Sequence, residues 1–196
     1  MEIKNTLYVT NRKNWRKWLV KNHKNQKEIW LIYYRKETGK PRISYDNAVL
    51  EALCYGWIDS TVKKIDKERF AQRFSPRRPR SGLSQMNRER IYELIKEKKM
   101  TKYGLKAIEH AFNSKIDKID KFVVPKDIYK ALRRNKNAWK YFQKFPLSYR
   151  RIRIAYIEDR KRHHMDMYKK TLAYFIKMTA QNKRIGFVKE RRDAMV

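Results

Sequence analysis

The sequence has little cysteine, few acidic residues and no long apolar run, and each shortage excludes a class of protein. The single cysteine, Cys54, has no partner for a disulfide within the chain. No stretch approaches about 18 consecutive apolar residues, so no transmembrane helix is predicted, and residues 1–5 lack the apolar run of a secretory signal. With 41% hydrophobic and 13% aromatic residues, the chain has the composition of a folded protein. We therefore expect a folded cytoplasmic protein.

The shortage of acidic residues leaves a large positive charge. The chain has 51 lysines and arginines against 20 aspartates and glutamates, so its net charge is +31. The excess runs through the whole chain, at +12 for residues 1–85 and +19 for residues 86–196. Two explanations stay open. One is a base-composition bias that places lysine on solvated faces, and the other is selection for a polyanionic partner such as nucleic acid.

The first half of the sequence predicts mixed helix and strand. Apolar residues recur at helical spacing in two segments, an unbroken apolar and aromatic run separates them, and two alternating segments follow. The predicted elements are a helix capped by Thr10 or Asn11, a central strand over residues 29–34, a helix from Ser44 to Gly56, and paired strands over residues 57–62 and 69–74.

The second half predicts helices only. After two short helices within residues 84–112, the expected elements are a helix starting at Pro125, a helix ended by Pro146, a helix capped by Ser148 with Tyr156 inside, and a final apolar stripe over residues 165–179. The predicted fold class is α+β, with a small sheet and helices in the N-terminal half and an all-helical C-terminal half. The predicted domains are residues 1–115 and 122–183, joined by a linker over 116–121 and followed by a flexible tail over 184–196.

An arginine-rich and serine-rich segment between the last strand and the next helix has the composition of an anion-binding site. Guanidinium groups bind carboxylates and phosphates, serine hydroxyls and helix starts accept the same anions, and prolines stiffen the segment, which we expect to be an exposed loop. Asp59, on the preceding strand, is expected to face inward and to need a downstream arginine as partner. The candidate ligand-binding residues are Asp59, Arg73, Arg77, Arg78, Ser81, Ser84 and Asn87. The alternative is a structural loop in which one arginine pairs with Asp59 and the serines cap the helix.

The sequence gives little support for an enzyme. Cys54 is placed at a helix C-terminus, which disfavours a thiolate, so we expect a buried structural cysteine and not a nucleophile. The adjacent His163 and His164 point about 100° apart on a helix and cannot ligate one ion. No nucleotide-binding glycine motif is present. We predict no cofactor and no metal, and a binding protein is favoured over a catalyst.

A late basic region supports an alternative function, binding of nucleic acid. Basic residues there are interleaved with tyrosines and a tryptophan, the combination that single-strand binders use. The candidate residues are Arg133, Arg134, Arg150, Arg151 and Arg153. The competing explanation is that the aromatic side chains form the core of amphipathic helices and leave a solvated basic face.

Several ordered motifs resemble the YdeI/OmpD-associated family of bacterial proteins, also called bacteriocin-protection proteins. They are the run Ala48 to Asp59 ending in Gly-Trp-Ile-Asp, the run Phe74 to Arg78, Ser81, Ser84 and Asn87, and the later segment Pro125 to Phe145. The resemblance implies a cytoplasmic α+β protein whose helical tail is the named module and which is associated with tolerance to antimicrobial peptides or cell-envelope stress, with no established reaction. Leu83 replaces the tryptophan usual between the two serines, and residues 159–166 alter the family's late charged motif.

The leading prediction is therefore a non-enzymatic protein that binds an anionic small molecule or acidic macromolecule.

Overall fold

The computed structural model describes residues 3–112 and 122–186. The chain divides into two compact units, Met1–Asp117 and Lys118–Val196, called here the first and second unit. The predicted linker over residues 116–121 and residues 187–196 of the predicted tail lie outside the described residues.

The first unit alternates helices with strands before ending in two helices. Its elements are β1 (Thr6–Tyr8), α1 (Arg12–Asn22), β2 (Ile29–Tyr34), a short 3-10 helix (Lys36–Thr38), α2 (Tyr45–Cys54), β3 (Trp57–Lys64), β4 (Arg69–Pro76), α3 (Gln85–Lys96) and α4 (Lys102–Ile108). Asn11, Ser44 and Ser84 each cap a helix by accepting a hydrogen bond from a backbone N–H three residues on.

The strands form one four-stranded sheet in the order β1-β2-β4-β3. β1 pairs with β2 in parallel, and the other two pairings are antiparallel. The central position predicted for residues 29–34 and the pairing predicted for β3 with β4 are confirmed. The sequence did not predict β1, because three residues are too short to show an alternating pattern.

The helices cover one face of the sheet. Ile29, Leu31 and Tyr33 of β2 point into a core with α1, α2, α3 and α4, and each is at most 5% exposed. The opposite face carries Trp30, whose ring lies 5.0 Å below the Lys63 ammonium. Side chains alternate along a strand, so the two faces of β2 meet different surroundings.

Two glycines bring α4 against the end of α2. Gly56 ends α2 with φ +73°, a conformation that favours glycine, and a Cβ there would lie 2.6 Å from the Ala107 Cβ. At Gly104, a Cβ would lie 2.7 Å from the Cys54 carbonyl carbon. The predicted helix stop at Gly56 is therefore confirmed, and α4 packs closely against the C-terminal end of α2.

The second unit is a group of four helices. They are α5 (Lys126–Arg133), α6 (Lys136–Lys144), α7 (Leu147–His163) and α8 (Met165–Ala180), and their core includes Ile128, Phe142, Ile157 and Phe175. Two details of the prediction are wrong. Pro146 precedes α7 as its cap residue, so Ser148 lies inside the helix, and Tyr156 is 42% exposed because it lies on the outer side of α7.

The predicted fold class is confirmed, with a small sheet and helices in the first half and helices alone in the second. Residues 184–186, predicted to begin a flexible tail, are held against α7, where the Ile185 N–H donates to the Tyr149 hydroxyl at 2.9 Å. Among the described residues, no helix is both long and apolar enough to cross a membrane.

Candidate functional site

The loop that leaves β4 is organised around a buried arginine. Arg77 is 8% exposed, its N–H donates to the Gly56 carbonyl at 2.9 Å, and its Nη2 donates to the carbonyls of Ser81 and Gly82 at 3.3 and 2.6 Å. The predicted exposed loop is therefore wrong at this position, because strand pairing continues to Pro76 and draws Arg77 inward. Ser81 contributes its main-chain carbonyl, which also accepts a hydrogen bond from His110 Nε2 at 3.0 Å.

The Arg77 guanidinium is a buried cation that has no carboxylate partner among residues 3–112 and 122–186. Its Nε and Nη1 are shielded from solvent and have no hydrogen-bond partner, and burial lowers the pKa of the group. A buried charge is costly unless it is paired and fully hydrogen-bonded. The N–H groups on Nε and Nη1 of Arg77 thus donate to no acceptor in the described part of the protein.

Asp59 lies at a register shift of β3 and takes its hydrogen bond from a tyrosine. The Tyr45 hydroxyl donates to Asp59 Oδ2 at 2.7 Å, and the pairing of β3 with β4 shifts between Asp59 and Val62. Burial, together with this hydrogen bond, raises the pKa of Tyr45. The predicted arginine partner for Asp59 is wrong, because Tyr45, the residue next to the Ser44 cap, occupies that role.

Ser84 and Asn87 lie close to the start of α2. Ser84 Oγ caps α3 by accepting from the Asn87 N–H at 3.3 Å, and Asn87 Oδ1 accepts from Arg90 Nη1 at 3.0 Å. Arg90 Nη2 also donates to Asp46 Oδ1 at 2.6 Å. Because Asp46 follows Tyr45 directly, this chain of hydrogen bonds brings Asp59, Ser84 and Asn87 to one region between the starts of α2 and α3.

A buried tyrosine adjoins that region. Tyr33 is 1% exposed and its hydroxyl has no hydrogen-bond partner. Burial raises the pKa of Tyr33, and the nearby Tyr45 and Asp59 raise it further, while Arg42, whose guanidinium lies 5.9 Å from the ring centre, opposes the shift. The carboxylate of Asp59 therefore stands in a polar cluster of two tyrosines and not beside Arg77.

Arg73 and Arg78 lie apart from this cluster. Arg73 Nη2 forms an ion pair with Glu28 Oε2 at 2.6 Å, and its Nη1 donates to Ser60 Oγ at 3.4 Å. The hydrogen bond from Arg73 lowers the pKa of Glu28. Arg73 alternates with Phe74, which faces the core, so its side chain points to the opposite face of the sheet. Arg78 is exposed.

Cys54 has the properties of a structural residue. It is fully buried at the end of α2, and burial raises the pKa of its thiol to about 11. A thiol with that pKa carries little thiolate near neutral pH. Among residues 3–112 and 122–186, no group of three or more His, Cys, Asp or Glu side chains is placed to hold a metal ion.

The arginines proposed for nucleic acid fall into different environments within the second unit. Arg133 and Arg134 are exposed at the end of α5, where Arg133 lies 5.7 Å from the Trp139 ring centre. Arg150 lies 5.7 Å from the Phe142 ring centre, whereas Arg153 is 9% exposed and lies between two tyrosines. Arg151 is half-buried. The five therefore differ in exposure, from the exposed Arg133 and Arg134 to the buried Arg153.

Sequence reasoning missed two residues of the first unit, Tyr45 and Arg90. Tyr45 was not recognised because it directly follows the cap residue Ser44, which accounts for that position. Arg90 was not recognised because basic residues are frequent in the chain. Arg73 and the apolar Phe74 are neighbours on a predicted strand, so their side chains point to opposite faces of the sheet. This pattern could have excluded Arg73 from the candidate site. In α7, where Arg153 was already a candidate, the spacing of Tyr149, Arg153, Tyr156 and Arg160 at i, i+4, i+7 and i+11 indicates in addition that they share one helix face.

Comparison with models of protein families found a match in each half of the chain. Residues 7–107 match the model described as a domain of unknown function, DUF8412. Residues 121–182 match the model described as bacteriocin-protection, YdeI or OmpD-associated, which confirms the family predicted from the sequence. Comparison with curated proteins and with solved structures found no match. The chain therefore belongs to the DUF8412 family through residues 7–107, and its residues 121–182 are similar to the bacteriocin-protection, YdeI or OmpD-associated family.

Proposed function

We propose that the protein is a non-catalytic cytoplasmic binding protein that contributes to bacteriocin protection or envelope-stress tolerance through an oxyanion bound at Arg77. The unpartnered guanidinium nitrogens of Arg77 carry this proposal. A phosphate or carboxylate at that position would supply the missing acceptor and the missing negative charge. The proposed role in bacteriocin protection rests on the family model that residues 121–182 match, whose description names bacteriocin protection.

The chemistry of the loop supports an oxyanion as the ligand. In the described part of the chain, the Arg77 side chain donates to the Ser81 and Gly82 carbonyl oxygens, which carry no negative charge to offset the guanidinium. Charge-assisted hydrogen bonds to an oxyanion are roughly twice as strong as neutral ones. Because Nε and Nη1 are shielded, the loop of residues 77–82 has to shift for an anion to reach them. Arg78 and residues 79–80 are exposed, so the outer part of this loop has little packing to lose.

The test compares two neighbouring arginines that differ in burial. Thermal unfolding of the wild type is measured over a titration of inorganic phosphate, with sodium chloride holding the ionic strength constant. A ligand at 100 times its Kd stabilises the folded state by about 2.7 kcal/mol. We expect this stabilisation to persist in Arg78→Gln and to disappear in Arg77→Gln.

The same variants test the biological role. Cells of a strain sensitive to a bacteriocin express the wild type, Arg77→Gln or Arg78→Gln at equal levels, checked by immunoblotting. The proposal expects survival of the Arg78→Gln cells to match the wild type and that of the Arg77→Gln cells to fall. Phosphate stabilisation that is equal in the two variants would exclude Arg77 as the anion site.

A further inference from the structure

One face of α7 carries tyrosine and arginine in alternation. Tyr149, Arg153, Tyr156 and Arg160 follow one another along this face, and we call them the α7 ladder. The Arg153 guanidinium lies 5.9 Å from the Tyr149 ring centre and 5.4 Å from the Tyr156 ring centre. The Arg160 guanidinium lies 5.0 Å from the Tyr156 ring centre, and its Nη2 donates to the Tyr156 hydroxyl at 3.0 Å. The guanidinium groups therefore rest on aromatic rings.

The arginines of the α7 ladder have no carboxylate partner in the described part of the second unit. The Nε atoms of Arg153 and Arg160 are shielded and have no hydrogen-bond partner. Two acidic residues of this unit have other basic neighbours, since Asp127 pairs with Lys161 at 2.6 Å and Asp159 lies 3.7 Å from His163. Within residues 122–186, no ion pair therefore offsets the charge of Arg153 or Arg160.

Tyr149 and Arg153, which form the buried end of the α7 ladder, are fixed in position. The Tyr149 hydroxyl accepts a hydrogen bond from the Ile185 N–H, and the Gly186 backbone lies so close to Arg153 that a Cβ on Gly186 would be 2.6 Å from Arg153 Nη2. Contact on both sides limits the rotamers of Arg153. The outer end is accessible, because Tyr156 is 42% exposed. A ligand at this surface would meet side chains that are already ordered.

The charge around the α7 ladder favours a polyanion. Residues 122–186 carry 18 lysines and arginines against four aspartates and glutamates, a net charge of +14 in 65 residues. Residues 3–112 of the first unit carry 27 against 11, a net charge of +16 in 110 residues. The second unit therefore has the higher charge density, and a chain of phosphates matches it in sign and extent.

We infer that the α7 ladder binds single-stranded nucleic acid, with Arg160 on the phosphates and Tyr156 against the bases. Stacked aromatic and guanidinium groups beside a basic surface are the two features that single-strand binders combine. A duplex keeps its base faces stacked inside, so an aromatic residue that is 42% exposed, as Tyr156 is, favours an unpaired strand. This site lies in a different unit from Arg77, and its failure would leave the oxyanion proposal untouched.

The test measures binding of the full chain to a fluorescein-labelled 20-nucleotide poly(dT) strand by anisotropy over a salt series. The ladder variants are Tyr156→Leu and Arg160→Gln. The matched controls on α8 are Tyr174→Leu, where the tyrosine is 53% exposed, and Lys170→Gln, where the lysine is exposed. Each control removes the same kind of group from the same unit but outside the ladder.

We expect Tyr156→Leu to weaken binding by about 5- to 150-fold, the range for losing one stacked base. Arg160→Gln should reduce the slope of log affinity against log salt by about 0.7, the value for one phosphate contact to a single strand. The two controls should change affinity less than about twofold, and a duplex of equal length should bind more weakly than the single strand.

Three outcomes would overturn the inference. They are no binding to the strand at low salt, equal losses in the ladder and control variants, and equal affinity for duplex. Vesicles of 30% phosphatidylglycerol in phosphatidylcholine are measured alongside. Binding to these vesicles with none to the strand would assign the basic surface to a membrane instead.

Discussion

Replacement of Glu51 by glutamine should destabilise the first unit by about 3 kcal/mol. Glu51 lies on α2, its side chain is 3% exposed, and its two carboxylate oxygens form ion pairs with Arg12 and Arg16 of α1, the second at 2.6 Å. Losing one partner of a buried ion pair costs about 3–5 kcal/mol, because the remaining charge stays buried. The two arginine side chains are 27% and 35% exposed, so water recovers part of their solvation and the lower end of that range applies.

Urea unfolding followed by tryptophan fluorescence measures the effect. Four of the five tryptophans lie in the first unit, so the signal reports mainly on that unit. At about 4 °C per kcal/mol, the same loss would lower the Tm of the unit by about 12 °C. The control is Glu68→Gln, which removes the carboxylate of the exposed Lys40–Glu68 pair and should cost less than about 1 kcal/mol. Equal costs at Glu51 and Glu68 would refute the reasoning from burial.

Two further predictions concern the packing of α4 and the acid sensitivity of the second unit. Gly104→Ala should cost about 1–3 kcal/mol in urea unfolding, because its Cβ would overlap the Cys54 carbonyl group, whereas Gly82→Ala, with open space around it, should not destabilise. Between pH 5 and pH 2.5, the Asp127→Asn variant should lose less free energy of unfolding than the wild type does. Unfolding is followed by the circular dichroism of the helices. Lys161 lowers the pKa of Asp127 to about 2, so the wild-type carboxylate stabilises the folded state above about pH 4 and that contribution is lost as the pH falls towards 2. Parallel pH curves for variant and wild type would contradict this.

The elements that local sequence signals determine were predicted well. Asn11 and Ser44 combine a capping side chain with an apolar pattern, and Gly56 supplies the backbone conformation that ends α2. In contrast, β1 has only three residues and depends on pairing with β2, which is distant in sequence. Pairing of that kind leaves no local pattern to read.

The candidate site was predicted less completely, because its geometry depends on tertiary contacts. Arg77 stands among prolines and arginines, a composition typical of exposed loops, but strand pairing and the Gly56 carbonyl bury it. Asp59 was predicted to face inward, and it does lie near Tyr33 and Tyr45. The choice between tyrosine and arginine as its partner depends on where α2 begins in space, which residue types alone do not determine.

The two edges of the sheet have a consequence for how partners are recognised. An edge strand exposes unpaired N–H and C=O groups that another chain can extend, and short strands, lysines and bulges counter this. β1 has three residues, and β3 carries Lys63 and Lys64 beyond the register shift that follows Asp59. Both edges thus resist strand addition and edge-to-edge aggregation. A partner of the first unit is therefore expected to contact side chains and loops, not to add a fifth strand.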